Sequence, residues 1–259
     1  MAAHPGQPGR YDRQLVFQRL GPAGQRKLAQ GWALVVGVGG LGCVAAQLLA
    51  RAGVGGLRLV DDDRVSLENI HRQVLFGEAD AAAATPKASA AVAAIRRFNS
   101  QVRLQAVTER FTAANAAALA NGVDVIIDGS DNFPTRFTIN DLAVREGIPW
   151  VFGGAIGAEG QCMTILPGRP CLRCVFDSPP PNCAEMTCRQ AGVIGPAVAA
   201  IGALQAAEAI KILSGRPEDC SPYLLKLDLW TNALQRIDVA EACAAVPCRC
   251  CKGRQFEYL

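Results

Sequence analysis

The sequence contains no block of like charge. Its 26 basic and 23 acidic residues are interspersed and leave a net charge of +3, so the electrostatic footprint of a nucleic-acid-binding protein is missing. The first ten residues hold Pro and Gly but no apolar signal core, and export is not expected. Two long uncharged runs, residues 32–50 and 191–207, fail as membrane spans. The first is broken by Gly37, Gly39, Gly40 and Gly42, the second by Gly192, Gly195, Pro196, Gly202 and Gln205, and both read as buried strand and helix. With no export signal and an odd count of 11 cysteines, reduced thiols, metal ligands or catalytic groups are expected rather than a disulfide framework. The expected compartment is the cytosol.

What is present suffices for a sizeable core, because 50% of the 259 residues are hydrophobic. One continuous domain over residues 1–259 is expected, with residues 1–9 a disordered tail. The chain is organised around residues 33–72. An apolar run at 33–36 leads into Gly37-Val38-Gly39-Gly40-Leu41-Gly42, an apolar small-residue segment to Ala50, a second apolar run at 57–60, and Asp61-Asp62-Asp63. That order predicts strand, glycine turn, helix, strand and acid. In such a βαβ unit the glycines let the backbone approach a phosphate at a helix N-terminus, and the acid ending the second strand receives ribose hydroxyls. The pattern alone fits NAD, FAD or an adenylating enzyme.

Beyond this unit, residues 79–84 read as a small-residue loop. Thr85 suits an N-cap and Pro86 the first helical position, which puts Lys87 in the first turn of a helix running to about Phe98. A cation there opposes the helix dipole at a cost of roughly 0.3–1 kcal/mol unless an anion is bound, so Lys87 is a candidate phosphate ligand. Residues 102–107 and 123–127 read as strands with a helix over Ala113–Ala120 between them. The second ends in Asp128-Gly129-Ser130-Asp131-Asn132, and since ligands of open parallel sheets sit beyond the carboxyl ends of strands, this turn and the glycine turn face one crevice. Asp131 is the candidate Mg2+ ligand, a hard carboxylate, and Asp128 a turn or cap residue. Segments 150–153, 161–166, 223–228 and 234–239 predict antiparallel additions to the parallel sheet, a half expected to bind a protein partner. A helix over 196–213, apolar on more than one face, is buried or at a dimer interface. The fold class is therefore α/β, a Rossmann-like mostly parallel sheet with helices on both faces, extended by antiparallel strands in the C-terminal half. In the amphipathic segment before the first strand, Leu15, Val16, Leu20 and Leu28 are expected inside, and Arg13 on its own reads as a solvated helix charge.

The run Asp61-Asp62-Asp63-Arg64-Val65-Ser66-Leu67-Glu68-Asn69, followed by Arg72-Gln73, resembles the ThiF/MoeB/HesA family of bacterial E1-like enzymes, which adenylate the C-terminus of ubiquitin-like sulfur carriers. The likeness extends from Arg10 to about Lys252. It implies ATP-dependent adenylation of a ThiS- or MoaD-like carrier ending in Gly-Gly, whose carboxylate attacks the α-phosphorus of ATP and expels pyrophosphate. It further implies that Gly37, Gly39, Gly40, Gly42, Asp61, Asp63 and Asn69 bind the nucleotide, that Arg72 and Lys87 neutralise its phosphates, that Asp131 holds Mg2+, and that Arg13 reaches a phosphate across a homodimer interface. No rhodanese-like segment follows, so the sulfur donor is expected to be a separate protein. An NAD-dependent oxidoreductase accounts for the glycine turn and Asp61 but leaves Arg13, Arg72, Lys87 and Asp131 without roles. An E1-like binding subunit whose chemistry sits in a partner is opposed by the intact charged set.

The cysteines divide into groups. Cys171-Leu172-Arg173-Cys174 and Cys248-Arg249-Cys250-Cys251 contain two Cys-x-x-Cys pairs, and four thiolates close a tetrahedral Zn2+ site. Cys250 is surplus; Cys248 with Cys251 keeps the spacing and matches the family. Such a site is expected to be structural, because redox chemistry wants one exposed, low-pKa pair at a helix N-terminus. Cys183 and Cys188 follow Pro179-Pro180-Pro181 in a loop expected to be mobile, and Cys188 matches the position at which ThiF-type members have a cysteine able to bond the carrier. Arg189-Gln190 and Gly195-Pro196 look more ThiF-like than MoeB-like. Cys43, Cys162, Cys220 and Cys243 read as core or surface thiols.

Overall fold

The computed structural model describes residues 9–178 and 192–259. The expected tail, Gly9 excepted, and the segment with Cys183, Cys188 and Arg189 lie outside the described residues. The expected alternation of strands and helices builds one eight-stranded sheet in the order β3-β2-β1-β4-β5-β6-β7-β8. Strands β1 (Trp32–Val36), β2 (Gly56–Val60), β3 (Arg103–Val107), β4 (Val125–Asp128) and β5 (Trp150–Ile156) run parallel. Strands β6 (Glu159–Ile165), β7 (Tyr223–Asp228) and β8 (Ala233–Asp238) are antiparallel additions. Val36 pairs with both Val60 and Asp128, so the carboxyl ends of β1, β2 and β4 lie level and the turns that follow them converge.

Helices α1 (Asp12–Leu15), α2 (Gly21–Leu28), α3 (Gly40–Ala52), α4 (Glu78–Ala82), α5 (Lys87–Phe98), α6 (Ala113–Ala120), α7 (Phe133–Glu146), α8 (Leu172–Val175) and α9 (Gly195–Leu213) cover the sheet. One core packs α3, α5 and α9 on the sheet through residues such as Leu49, Ile95 and Ile201; the other packs α6 and α7 through Ala116, Ile139 and Leu142, together with the cysteine-rich C-terminal segment. α9 is long and apolar enough to cross a membrane, but half of it is buried within the molecule. Small residues let it approach α3 closely: a Cβ on Gly40 would meet Val198 at 2.5 Å, and one on Gly202 would meet Val44 at 2.8 Å. Helix α3 ends on Gly53, whose φ of +87 suits the left-handed C-cap that glycine adopts without steric cost.

Several expectations need correction. Val16 is not inside but 73% exposed, because α1 is a single turn and the chain bends before α2, which breaks the helical period; Leu20 and Leu28 are buried. Residues 78–82 form α4 rather than a loop, since the Asp80 carboxylate accepts from the Gly77 N–H at 2.9 Å and closes the first turn. The helix carrying Lys87 starts at that residue with Pro86 as its cap, while the carbonyl of Thr85 is taken by Val65 N–H at 2.9 Å. Strand β5 is parallel to β4, not an antiparallel addition, because α7 carries the chain back across the sheet before it. Between β6 and β7 the crossing helix is α9, so an intervening helix does not exclude antiparallel pairing.

Candidate nucleotide crevice and tetracysteine centre

The sheet order places β2 on one side of β1 and β4 on the other, so the strand order reverses beside β1. Ligands of open α/β sheets bind at that reversal, beyond the carboxyl ends of the strands. The turns after β1 and β4 touch there. A Cβ on Gly37 would lie 2.7 Å from the Gly129 carbonyl oxygen, and one on Gly42 only 1.9 Å from the Gly37 carbonyl oxygen. Gly37 also has a φ of +85. The glycines therefore have separate causes: Gly37 and Gly42 allow backbone packing and Gly40 admits α9. Gly39 differs. A Cβ there would meet only Gln73 Nε2 at 3.8 Å and the Gly129 carbonyl at 3.9 Å, both ordinary contact distances. The space above Gly39 at the N-terminus of α3 is not needed by the protein's own packing, and it is where helix N–H groups favour an anion.

Asp61 ends β2 beside this space. Its Oδ2 accepts from Val38 N–H at 2.6 Å and its Oδ1 from Asp63 N–H at 2.8 Å, which fixes the carboxylate against the glycine turn. Burial pushes its pKa above the ordinary carboxylate value, and the charge of Lys87 opposes that rise. Lys87 is buried, with its ammonium 2.8 Å from Asp63 Oδ2, so Asp61, Asp63 and Lys87 form one cluster. Arg72 is anchored by a 2.6 Å bond from Nη2 to Asn69 Oδ1, and Asn69 Nδ2 donates to Ser66 Oγ at 2.7 Å. Asp131 is exposed; one of its oxygens accepts weakly from Asn132 Nδ2 at 3.3 Å, while Asn132 Oδ1 caps α7 by accepting from Thr135 N–H at 3.0 Å. An exposed carboxylate with so little engagement suits a hard cation shared with substrate phosphates.

Asp128 is indeed a turn residue: its Oδ1 accepts from Ser130 N–H and Oγ. It is also fully buried and paired with Arg136 at 3.2 Å. Burial raises its pKa, against the pull of Arg136. Arg136 donates further to the Ser130 and Gly153 carbonyls, and Gln205 of α9 donates to the Asp128 and Val151 carbonyls at 2.7 and 3.1 Å. These two side chains hold the Asp128–Asn132 turn, a role that the sequence reading, which names Gln205 only as a break in an uncharged run, does not assign to either. The available signal is a glutamine among the apolar residues of the first three turns of that helix. Arg13 stands apart. α1 packs at the far end of α3, where Gln14 Nε2 donates to the Ala52 carbonyl and Tyr11 lies against Gly53. At 1.5 Å per residue, the 13 residues of α3 put about 20 Å between Arg13 and its own glycine turn.

The Sγ atoms of Cys171, Cys174, Cys248 and Cys251 all lie within 4.8 Å of one another. Cys171 and Cys248 are 3.7 Å apart and Cys174 and Cys251 are 3.4 Å apart, against about 3.8 Å for thiolates around a tetrahedral Zn2+ at 2.3 Å. The four donors therefore fit zinc. Cys250 is buried beside them and takes a hydrogen bond from Asn140 Nδ2 at 3.3 Å, while Leu172 N–H donates to Asn140 Oδ1 at 2.9 Å. Hydrogen bonds from Cys174, Cys250 and Cys248 hold the Cys171 thiol well below its usual pKa. A cleft of about 690 Å3, lined by Arg145, Arg169, Lys252 and Arg254 among others, touches this centre at Cys174 and Cys251 and includes no residue of the glycine turn. Cys43, Cys162, Cys220 and Cys243 are all buried. Burial pushes Cys43 and Cys220 up to about 12, far from any nucleophilic role at neutral pH.

Comparison with known proteins agrees with this geometry. Residues 11–250 match the ThiF family. The chain is 40% identical over 252 residues to the sulfur carrier protein ThiS adenylyltransferase of Bacillus subtilis (strain 168), covering 97% of this chain and 74% of that one. It is also 40% identical over 236 residues to the sulfur carrier protein adenylyltransferase of Thermus thermophilus, with 89% and 86% covered. Among solved structures, E. coli MccB with ATP superposes with a TM-score of 0.80 at 21% identity, covering 95% of this chain and 76% of that one, which shows a shared fold.

Proposed function

We propose the following activity for this chain, which belongs to the ThiF family: it adenylates the C-terminal carboxylate of a ubiquitin-like sulfur carrier ending in Gly-Gly, in the cytoplasm and as a homodimer. The observation that carries this reading is the open space above Gly39, beside the Asp61 carboxylate that Val38 N–H holds against the glycine turn and on which the charge of Lys87 acts. Asp61 receives the ribose hydroxyls, and Gly37, Gly39, Gly40 and Gly42 shape the turn on which the adjoining phosphate rests. Asn69 and Asp63 orient Arg72 and Lys87, whose cations offset the charge of the remaining phosphates. A carrier carboxylate oxygen then attacks the α-phosphorus, the bond to the bridging oxygen breaks, and pyrophosphate leaves with the electron pair. No protein nucleophile is required, because positioning and charge neutralisation supply the acceleration. Mg2+ held by Asp131 would add charge neutralisation at the phosphates.

The distance from Arg13 to its own turn supports an action on the partner's nucleotide in a homodimer, and Val16 and Phe17, at 73% and 59% exposure beside it, offer apolar surface for that contact. For the carrier we assign the antiparallel half, where every residue of β8 is exposed and Trp230, Leu234 and Ile237 present apolar surface beside the strand that, among the described residues, ends the sheet. Zinc in the tetracysteine centre ties the C-terminal segment to α8 and takes no part in the chemistry. Cys188, outside the described residues, is assigned to the later sulfur-transfer step with a separate donor protein. The test is ATP/pyrophosphate exchange against a panel of purified carriers. Exchange is expected with at least one, and Asp131→Ala is expected to lower it by several kcal/mol of transition-state stabilisation with the fold intact. Wild-type exchange in that variant would remove Asp131 from the mechanism, and hydride transfer to NAD would overturn the whole reading.

A further inference from the structure

Asn140 and Asp141 lie side by side in α7, and both are wholly buried. Burying a carboxamide costs free energy unless it is hydrogen-bonded. A leucine of similar volume would fill the place without that cost, so the bonds that the Asn140 side chain makes are what an amide supplies there. One of them stays within the helix, from Nδ2 to Asp141 Oδ1 at 3.2 Å. The others cross to the cysteine-rich segments: Oδ1 accepts from Leu172 N–H at 2.9 Å, and Nδ2 stands 3.3 Å from Cys250 Sγ and 3.7 Å from Cys171 Sγ. Leu172 opens α8 and Cys171 caps it, so this N–H is one that the first turn of a helix cannot pair by itself. Asn140 thereby holds the Cys171–Cys174 turn at its entry, with its amide nitrogen beside two sulfurs.

We propose that Asn140 is a positioning residue of the tetracysteine centre: its Oδ1 presets the turn that carries Cys171 and Cys174, and its Nδ2 donates to the Cys171 thiolate, so that a bound metal ion is held more tightly. This rests on the reading of the four cysteines as a zinc centre. The two protons of Nδ2 face three acceptors. Asp141 already receives Arg173 Nη1 at 3.4 Å and Tyr258 N–H at 3.2 Å on its other oxygen. Of the two sulfurs, Cys171 belongs to the set of four that a metal ion holds as thiolates and Cys250 does not. A charged acceptor strengthens the bond roughly twofold over a neutral one. The donor also offsets part of the excess negative charge that four thiolates place around one divalent cation, and such outer partners orient and tune the ligands of a metal site.

The test uses Asn140→Asp, which keeps an oxygen for Leu172 N–H and removes the donor, Asn140→Leu, which removes both, and Cys250→Ala. Zinc affinity, measured on folded protein by competition with a chromogenic chelator, is expected to fall by about 10–100-fold in both Asn140 variants. Cys250→Ala should bind zinc as the wild type does. With cobalt in the centre, the thiolate-to-metal charge-transfer bands of both Asn140 variants should move to lower energy, because a sulfur that loses a donor holds its electrons less tightly; a residue that only packs would leave the bands in place. Wild-type affinity and bands in Asn140→Asp overturn the inference. So does a loss in Cys250→Ala as large as that in Asn140→Leu, which would put the working bond on Cys250. If neither Asn140 variant folds, the wild type carries the test: with cadmium in the centre, NMR coupling through sulfur between an Asn140 side-chain amide proton and the metal nucleus is expected, and its absence overturns the inference. Wild-type protein that binds no zinc overturns the zinc centre and this inference with it.

Discussion

Gly39 and Gly42 occupy the same turn, yet the structure assigns them opposite sensitivities to a single methyl group. A Cβ on Gly42 would stand 1.9 Å from the Gly37 carbonyl oxygen, and because that neighbour is backbone it cannot rotate away. Overpacking costs typically 1–3 kcal/mol and more when nothing can yield, so Gly42→Ala is expected to lose about 3 kcal/mol or more. For a chain of this size that corresponds to a fall in Tm of about 6–12 °C. A Cβ on Gly39 would meet only atoms at 3.8 and 3.9 Å, so Gly39→Ala meets no steric block and should lose far less stability than Gly42→Ala. The methyl group occupies the place of the phosphate instead. A displacement of the reacting group by about 1 Å costs on the order of 10²-fold in rate, so kcat/KM for ATP should fall by about that factor. Thermal denaturation and pyrophosphate exchange on the two variants make the comparison. A Gly39→Ala protein with wild-type kcat/KM refutes the placement of the phosphate, and a Gly42→Ala protein as stable as wild type refutes the packing argument.

Protein prepared without added metal should contain about one zinc per chain by elemental analysis, and a Cys171→Ser, Cys174→Ser variant should lose it and melt lower, since structural zinc contributes folding free energy directly; metal-free wild type of full stability would contradict this. Burial raises the Asp61 pKa above the ordinary carboxylate value, so its proton linkage favours the fold below that ordinary value and the contribution is lost as pH rises through the folded value. Asp61→Asn should therefore melt higher at neutral pH while KM for ATP rises, and a lower melting temperature would contradict the assigned cause. Arg13→Ala and Lys87→Ala subunits, each inactive alone, should recover activity when mixed into heterodimers, because one hybrid site combines both intact cations; verified heterodimers without activity would return Arg13 to its own chain or to no role.

The parts of the fold visible in the sequence were those whose cause is local. The glycine turn, the acid after β2 and the cysteine pairs each show in the sequence as residue types at short, fixed spacings. Helix α7 was not visible, because its buried face carries Arg136, Thr138, Asn140 and Asp141, residues that apolar periodicity assigns to solvent. Arg136, Asn140 and Asp141 are inside because they bond to Asp128 of the preceding strand, to the cysteine segment and to the C-terminus, partners outside the helix. The same reason hid the separate roles of the glycines: Gly40 is needed by Val198 and Gly129 by Gly37, contacts that exist only after the sheet has assembled.

Two ion pairs flank the crevice, and their burial separates the groups free to act from those that hold the frame. In the Lys87–Asp63 pair the lysine is buried but the Asp63 side chain is 65% exposed. Such a pair contributes little, on the order of 1 kcal/mol or less, because the carboxylate is well solvated when released. Lys87 can therefore exchange Asp63 for a phosphate at small cost. Arg136 and Asp128 have side chains only 10% and 0% exposed, and removing one partner from a pair so buried costs about 3–5 kcal/mol. That pair does not exchange on nucleotide binding. Asp128 is in this way withdrawn from metal chemistry by Arg136, although it lies three positions from Asp131 in the same turn. Arg136→Leu should accordingly do more than weaken the turn: it leaves Asp128 buried and unpaired beside Asp131.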